Sequence, residues 1–292
     1  MPNWNPIQYE KFLKDRTQPA VDLANRLEVI SPSRILDLGC GPGNSSKALK
    51  DKFPNAKITG ADNSDEMLAK ARKSYPDIEF INLDANGDLN EINEKFDVVF
   101  SNACIQWLPN HKELLPKLMT LLTPNGVLAI QIPMQREHPV HIIINELVQT
   151  EKWKSKLTPR QYNNLTTEEY HDVLSEISDD FEIWETTYCH RMPDYESIIE
   201  WYKGTGLRPY LEQLSESDRD DFVGDVYREL KQRYKIQKKA IFCSDFQDCF
   251  LSSGTVDMRK QFIDNLRWMD VFLLIPYHAA QAFTAWKRLE KH

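Results

Sequence analysis

Eight consecutive residues, Asp37-Leu38-Gly39-Cys40-Gly41-Pro42-Gly43-Asn44, put glycine at every second position behind an acidic side chain. Glycine lets a ligand lie against the backbone and tolerates φ > 0 where the chain turns sharply. The spacing is G-x-G-x-G, which differs from the G-x-G-x-x-G loop that cradles a pyrophosphate at a helix N-terminus. A carboxylate at Asp37 suits a cation and repels a pyrophosphate. Farther along, Asp62 is placed to accept hydrogen bonds from both hydroxyls of a ribose, and Asp84, beside Ala85, to accept an amino group from a purine-like ring. A second set is cationic. Arg16 lies in the N-terminal helical stretch and Arg208 in Gly204-Thr205-Gly206-Leu207-Arg208-Pro209-Tyr210, and a guanidinium donates two parallel hydrogen bonds to a carboxylate. Tyr9, Tyr188 and His190 are further donors for such a pocket. The competing reading of both arginines is an ordinary surface ion pair.

Such residues need elements to present them. The apolar run Ile35, Leu36, Leu38 predicts a strand over 34–38, and helix formers follow the glycine loop. Further strands are predicted at 57–61, 78–82, 96–101 and 126–131, with helices at 65–75 and around 114–122. Residues 5–30 read as helical in two pieces, with Pro19 starting the second. This alternation predicts a doubly wound, mostly parallel α/β sheet, in which ligands bind at the carboxyl ends of the strands. Asp37, Asp62, Asp84 and the pair Asn102-Ala103 all fall there. After Pro133 the pattern changes to a helical, aromatic-rich stretch with one extended piece at 181–189. We therefore expect a helical lid (1–30), an α/β core (31–135), a helical cap (136–235) and a C-terminal segment that completes the sheet (236–292). The last contains candidate strands at 240–243 and 271–275 and a candidate helix at 256–267.

The net charge is −8 with both signs mixed along the chain, which leaves no basic footprint for nucleic acid. No apolar run approaches the roughly 20 residues that span a bilayer. The N-terminus lacks the basic and apolar regions of a secretory signal. Five cysteines, Cys40, Cys104, Cys189, Cys243 and Cys249, are scattered and form no C-x-x-C pair, as expected of free thiols in a reducing cytoplasm. His138 and His141 beside Glu137 have metal-like spacing but no third ligand, so they read as a helix-start pair or surface histidines and no metal is expected. The expectation is a cytoplasmic monomer without membrane or nucleic-acid partners.

The glycine motif resembles motif I of S-adenosylmethionine-dependent methyltransferases, which implies a Rossmann-like class I fold with S-adenosylmethionine as cofactor. Over about its first 235 residues the chain is similar to bacterial trans-aconitate methyltransferases. The matching segments are Trp4-Asn5-Pro6 with Tyr9; Arg16 with Pro19-Ala20; the glycine motif through Ser45; Gln106-Trp107-Leu108-Pro109 with His111; residues 184–188; His190 with Met192-Pro193; Trp201; and Thr205-Gly206-Leu207-Arg208-Pro209. The resemblance implies a cofactor site of Asp37, Gly39, Cys40, Gly41, Asn44, Asp62, Asn63, Met67, Asp84, Ala85, Asn102, Ala103 and Trp107. It implies a substrate site of Tyr9, Arg16, Gln106, Tyr188, His190 and Arg208, with a carboxylate of trans-aconitate methylated to the monomethyl ester. The chain departs from the family after strand five, where Ile132-Pro133-Met134-Gln135-Arg136 lacks the expected Asn, and beyond Tyr234.

A carboxylate with a reference pKa of about 4 is already ionised at neutral pH, so no general base and no catalytic residue beyond positioning is required. One oxygen must sit about 3 Å from the methyl, away from water. Other readings use the same residues. A methyltransferase acting on a malonyl thioester or a fatty acid would not need two arginines. Carbon or hydroxyl methylation would need a base, for which His190 is the candidate. An NAD-dependent oxidoreductase is disfavoured by Asp37 and the loop spacing. A non-catalytic protein that keeps the fold and binds a partner through its C-terminal tail is disfavoured by the intact cofactor positions.

Overall fold

The computed structural model describes residues 13–87, 89, 92–136, 138–188, 190, 192–234 and 269–276. Five apolar runs form parallel strands: β1 (Arg34–Leu38), β2 (Lys57–Asp62), β3 (Glu79–Asn82), β4 (Phe96–Asn102) and β5 (Leu122–Pro133). β6 (Glu182–Thr187) and β7 (Met269–Pro276) extend them to a seven-stranded sheet, ordered β3-β2-β1-β4-β5-β7-β6. β7 runs antiparallel to β5, with Leu128 opposite Ile275. Strands β1 and β4 are buried almost throughout, as strands covered by helices on both faces must be. The expected doubly wound sheet is present, and the candidate strand at 271–275 is its antiparallel member. The candidates at 240–243 and 256–267 lie outside the described residues.

The helices are α1 (Leu13–Arg26), α2 (Asn44–Lys52), α3 (Asp65–Ser74), α4 (His111–Met119), α5 (Pro139–Val148), α6 (Thr167–Ile177), α7 (Tyr195–Lys203), α8 (Arg208–Leu211) and α9 (Glu216–Arg233). One expectation fails locally. Pro19 was expected to start a helix, yet it lies inside α1. An interior proline costs about 3 kcal/mol through a lost hydrogen bond and a ring clash. Burial of Ala20, Leu23, Ala24 and Leu27 offsets that cost, and Lys52 Nζ gathers the carbonyls of Ala24, Asn25 and Leu27 at 2.6, 2.8 and 2.9 Å. Leu122, read as helical, instead opens β5, because α4 ends at Met119.

The described chain divides into two compact units. The sheet unit comprises residues 17–133, 163–185 and 270–276; the helical unit comprises 13–16, 134–162 and 186–234 with Met269. The sheet unit thus includes 163–185, a span that the sequence reading placed in the cap. Helix α6 buries Tyr170, Val173 and Leu174, and β6 hydrogen-bonds beside β7. No helix among the described residues is long and apolar enough to cross a membrane.

The helical unit has its own core, in which Trp153, Tyr202, Tyr210, Phe222 and Leu230 are buried. Asp225, 8% exposed, accepts Trp153 Nε1–H at 2.9 Å, Lys152 Nζ at 2.8 Å and Arg228 Nη1 at 2.8 Å. Burial alone would raise its pKa; the bonds from Lys152, Trp153 and Arg228 outweigh that and hold the carboxyl below its usual range. Its stabilisation is therefore present above the ordinary carboxylate range and is lost as pH falls through the depressed value. Asp225→Ala strands the buried indole N–H and is expected to cost about 2–3 kcal/mol in chemical denaturation, against about 1 kcal/mol for Asp225→Asn. Equal costs for the two would remove the indole bond from this account.

Candidate active site

The glycine loop is hung on the end of β2. Gly39 N and Cys40 N both donate to Ala61 O, at 2.8 and 3.0 Å. Gly39 has φ +74°, and a Cβ there would lie 2.2 Å from Cys104 Sγ and 2.4 Å from Cys104 Cβ. Packing within the protein therefore demands that glycine. Gly41 differs: it has φ +52°, and a Cβ would meet nothing within 4 Å among the described residues. Gly41 N donates to Asp62 Oδ2 at 2.9 Å, and Ser64 N donates to Asp62 Oδ1 at 2.9 Å. The open side of Gly41 is a cradle for a group brought close to the backbone. Asp62 ties that cradle to the start of α3, and each of its oxygens keeps a second lone pair.

Asp37 is fully buried on β1. Its Oδ2 accepts the hydroxyls of Ser45 and Ser46 at 2.7 and 2.6 Å, while Oδ1 has no partner among the described residues. Burial pushes the carboxyl up to about 6, against the two serine bonds, and the charge of Asp62 adds to the rise. At the end of the adjacent strand β4, Asn102 Oδ1 is likewise buried without a partner among the described residues. Ala103 follows with φ +50°, a left-handed backbone that costs about 1–3 kcal/mol for a non-glycine residue. Gln131 holds it there, accepting Ala103 N with both its backbone O (3.2 Å) and Oε1 (2.9 Å). Gln106, 4% exposed, donates Nε2–H to Ala103 O at 2.8 Å and leaves Oε1 buried without a partner among the described residues. Three buried acceptors therefore await donors at the ends of two neighbouring strands or just beyond. An unmade bond of this kind costs about 1–3 kcal/mol, so the set fits a cationic or N–H-bearing ligand.

The other expected cofactor residues are more exposed or are used internally. Asp84 is exposed and accepts Asn86 N at 2.9 Å, with Ala85 half-buried beside it. Asn63 is exposed and Met67 half-buried. Asn44 Oδ1 accepts the Tyr75 hydroxyl at 3.3 Å. Trp107 is half-exposed, whereas burial raises the thiols of Cys40 and Cys104 far above the ordinary range and keeps them protonated. Sequence reasoning missed Ser45, Ser46 and Gln131. The signals were there: two hydroxyls in the first turn of α2, and one polar residue inside the apolar run of β5.

Of the expected substrate residues, Tyr9 lies outside the described residues. Arg16 and His190 come together on Trp201 in the helical unit. Arg16 Nη2 donates to Trp201 O at 3.1 Å, and its guanidinium carbon lies 4.8 Å from the ring centroid. The His190 ring lies 4.9 Å from that of Trp201, with Nδ1 3.8 Å from Asp15 Oδ1. Burial lowers the His190 pKa; Asp15 opposes this and Arg16 reinforces it. Tyr188 is half-buried. Arg208 opens α8 and donates Nε–H to Glu212 at 2.8 Å, with side chains 38% and 43% exposed, which is the surface pair of the competing reading. Gln106 is in the sheet unit.

The histidine pair belongs to the framework of the helical unit. His138 caps α5 by accepting Val140 N at 3.2 Å, and the Tyr202 hydroxyl lies 2.9 Å from its Nδ1. His141 Nδ1 lies 3.1 Å from the Tyr162 hydroxyl. Burial pushes His141 down to about 3 and His138 well below its usual value, so both are neutral at pH 7. Among the described residues no group of three or more His, Cys, Asp or Glu side chains is arranged to hold a metal.

Comparison with known proteins agrees with this geometry. A family model described as a methyltransferase domain matches residues 35–126. The trans-aconitate 2-methyltransferase of Escherichia coli O157:H7 (strain EC4115 / EHEC) is 39% identical over 252 residues, which cover 86% of this chain and 98% of that protein. Among solved structures, the YcgJ protein of Bacillus subtilis aligns with a TM-score of 0.54 at 13% identity, over 89% of this chain and 97% of that one. Phosphoethanolamine N-methyltransferase 2 of Haemonchus contortus, solved with S-adenosyl-L-methionine, aligns with a TM-score of 0.50 at 18% identity; the match covers 88% of this chain and about half (52%) of that longer one. These two likenesses establish the fold. The sequence identity, sustained across nearly the whole length of the relative, goes further: the chain belongs to the trans-aconitate 2-methyltransferase family.

Proposed function

We propose that the protein transfers a methyl group from S-adenosylmethionine to one carboxylate of trans-aconitate, forming the monomethyl ester. The observation that carries the cofactor half is the fully buried Asp37, whose Oδ1 has no partner among the described residues, beside a glycine loop open at Gly41. Family membership supports the acid. When bound, S-adenosylmethionine supplies an electrophilic methyl on a sulfonium, and methylation of a carboxylate with it moves no proton. Asp37, Asn102 and Ala103 receive the amino-acid end, Asp62 the ribose, and Asp84 with Ala85 the ring amino group. Gly39, Cys40, Gly41, Asn44, Asn63, Met67 and Trp107 complete the cofactor contacts. Arg16 and Arg208, with Tyr9, Tyr188, His190 and Gln106, bind the acid. They orient an anion that is ionised without help, so the chain needs no catalytic base. The enzyme acts as a cytoplasmic monomer with no membrane or nucleic-acid partner.

Asp37 makes cofactor binding sensitive to pH. Its folded value of about 6 lies above the ordinary 3.8, so the ligand-free protein takes up a proton that the unfolded chain does not. That contribution to stability is present at low pH and is lost as pH rises through about 6. A protonated Asp37 offers no charge to an ammonium. Affinity for S-adenosylmethionine is therefore expected to fall about tenfold per pH unit below about 6, and Asp37→Asn to flatten the profile. Calorimetric titration at pH 7, 6, 5 and 4.5 tests this; a flat wild-type profile down to pH 4.5 would remove Asp37 from the cofactor's ammonium.

The assay for the whole proposal uses methyl-labelled S-adenosylmethionine with trans-aconitate, cis-aconitate, isocitrate, a malonyl thioester and a medium-chain fatty acid. Base-labile label on trans-aconitate alone is the expected result. Cofactor binding without transfer to any of the three polycarboxylates would overturn the assignment of the acid.

A further inference from the structure

Residues Ile105–Trp107 form a single 3₁₀ turn immediately after the strained Ala103, and this turn carries Gln106 and Trp107. Its internal bonds are few: Trp107 N donates to Cys104 O at 3.0 Å and Leu108 N to Ile105 O at 2.8 Å. A turn this short has poor hydrogen-bond geometry and takes its conformation from what surrounds it. Here the surroundings are polar and specific. His111, 1% exposed at the first residue of α4, directs Nε2 at both ends of the turn, 2.8 Å from Ile105 O and 3.1 Å from Leu108 O. Its Nδ1 lies 2.6 Å from the hydroxyl of Tyr170, a fully buried residue of α6. Two carbonyls facing Nε2 require the proton there, so Nδ1 accepts from the tyrosine. The two rings stack with centroids 5.8 Å apart and planes 25° from parallel. Asn163 Nδ2 reaches Gln106 O at 3.5 Å, and Asn164 Nδ2 reaches Pro133 O, at the end of β5, at 2.9 Å. The Thr166–Glu169 capping box fixes the start of α6 between these asparagines and Tyr170.

We infer that His111 and Tyr170 are positioning residues for methyl transfer, a hydrogen-bonded pair that fixes the 3₁₀ turn so that Gln106 and Trp107 meet the reacting acid and the cofactor in one orientation. The inference rests on the roles proposed above for Gln106 and Trp107. It assigns a purpose to residues 163–170, whose side chains hold the 3₁₀ turn beyond β4 and the end of β5 from within the sheet unit. Burial lowers the His111 pKa and raises that of Tyr170, so the pair stays neutral and acts through geometry alone.

Tyr170→Phe keeps the ring and removes the hydroxyl; His111→Asn removes the donor to Ile105 O and Leu108 O. Each variant is expected to lower kcat on trans-aconitate about tenfold while the Kd for S-adenosylmethionine stays within threefold of wild type. The double variant is expected to lose no more than the worse single one, because the two side chains act as one unit. An arm independent of activity follows Trp107 directly: the emission and acrylamide quenching of the cofactor-bound protein, taken as the difference from Trp107→Phe, should change in Tyr170→Phe. Wild-type kinetics and an unchanged Trp107 signal in Tyr170→Phe would overturn the inference. So would a parallel loss of cofactor affinity and melting temperature, which marks a structural role only. If wild-type protein methylates none of the acids, the functional reading fails and the Trp107 arm still decides whether the pair positions the turn.

Discussion

Gly39→Ala is expected to abolish measurable binding of S-adenosylmethionine, weakening it at least 100-fold, and to destabilise the protein by about 3 kcal/mol. At φ +74° an L side chain is strained by roughly 1–2 kcal/mol. The added carbon also lands 2.4 Å from Cys104 Cβ as well as 2.2 Å from Sγ, and no rotation of the cysteine side chain moves its own Cβ. Either the loop or the turn after β4 must shift. Gly41→Ala is the informative partner. Its carbon enters open space, so the cost to stability is the left-handed strain alone, about 1 kcal/mol. Cofactor affinity is nevertheless expected to fall at least tenfold, because that space is where the ligand approaches the backbone. Calorimetry and denaturant titration on both variants separate the two effects. Wild-type affinity in Gly41→Ala would show that the open side of the loop is not the ligand's.

Removal of Arg16 is expected to lower kcat/KM for trans-aconitate about 100-fold, through KM, with cofactor affinity within twofold of wild type. A charge-assisted pair between a half-buried guanidinium and a carboxylate is worth about 2–3 kcal/mol, and 2.7 kcal/mol corresponds to that ratio. Arg16 is supported on the Trp201 ring and carbonyl, so little freedom is lost when the acid binds. Arg16→Lys keeps the charge, loses the planar fork and should recover only part of the activity. Arg208→Ala is expected to have a smaller effect, about tenfold. Arg208 must first leave Glu212, but an ion pair this exposed is worth at most about 1 kcal/mol. Glu212→Ala should accordingly lower KM by up to about fivefold. Steady-state kinetics with the acid varied at saturating cofactor distinguish these outcomes, and an unchanged KM in Arg16→Ala would remove Arg16 from the acid site.

Much of the sheet unit was legible from short-range pattern. Apolar runs of strand length, the glycine spacing, and Asp37, Asp62, Asp84 and Asn102 at or just beyond strand ends are set by chain geometry within a few residues. They follow from side-chain period and from backbone angles open only to glycine. The same reasoning could not see that Ser45 and Ser46 hold Asp37, that Gln131 holds the strained Ala103, or that Tyr170 reaches His111. Those contacts join residues on different elements, and nothing local to either partner specifies the other. Nor could it choose between a carboxylate-binding and a surface-paired Arg208: Glu212 follows four residues on, but it meets the guanidinium only because residues 208–211 turn as a helix. Residues 163–185 make the point at larger scale. Their sequence reads as helix followed by a short extended piece and fits a helical cap equally well. Tertiary structure places them in the sheet unit, because the apolar face of α6 is buried there and β6 finds its hydrogen-bonding partner in β7, a strand more than eighty residues downstream.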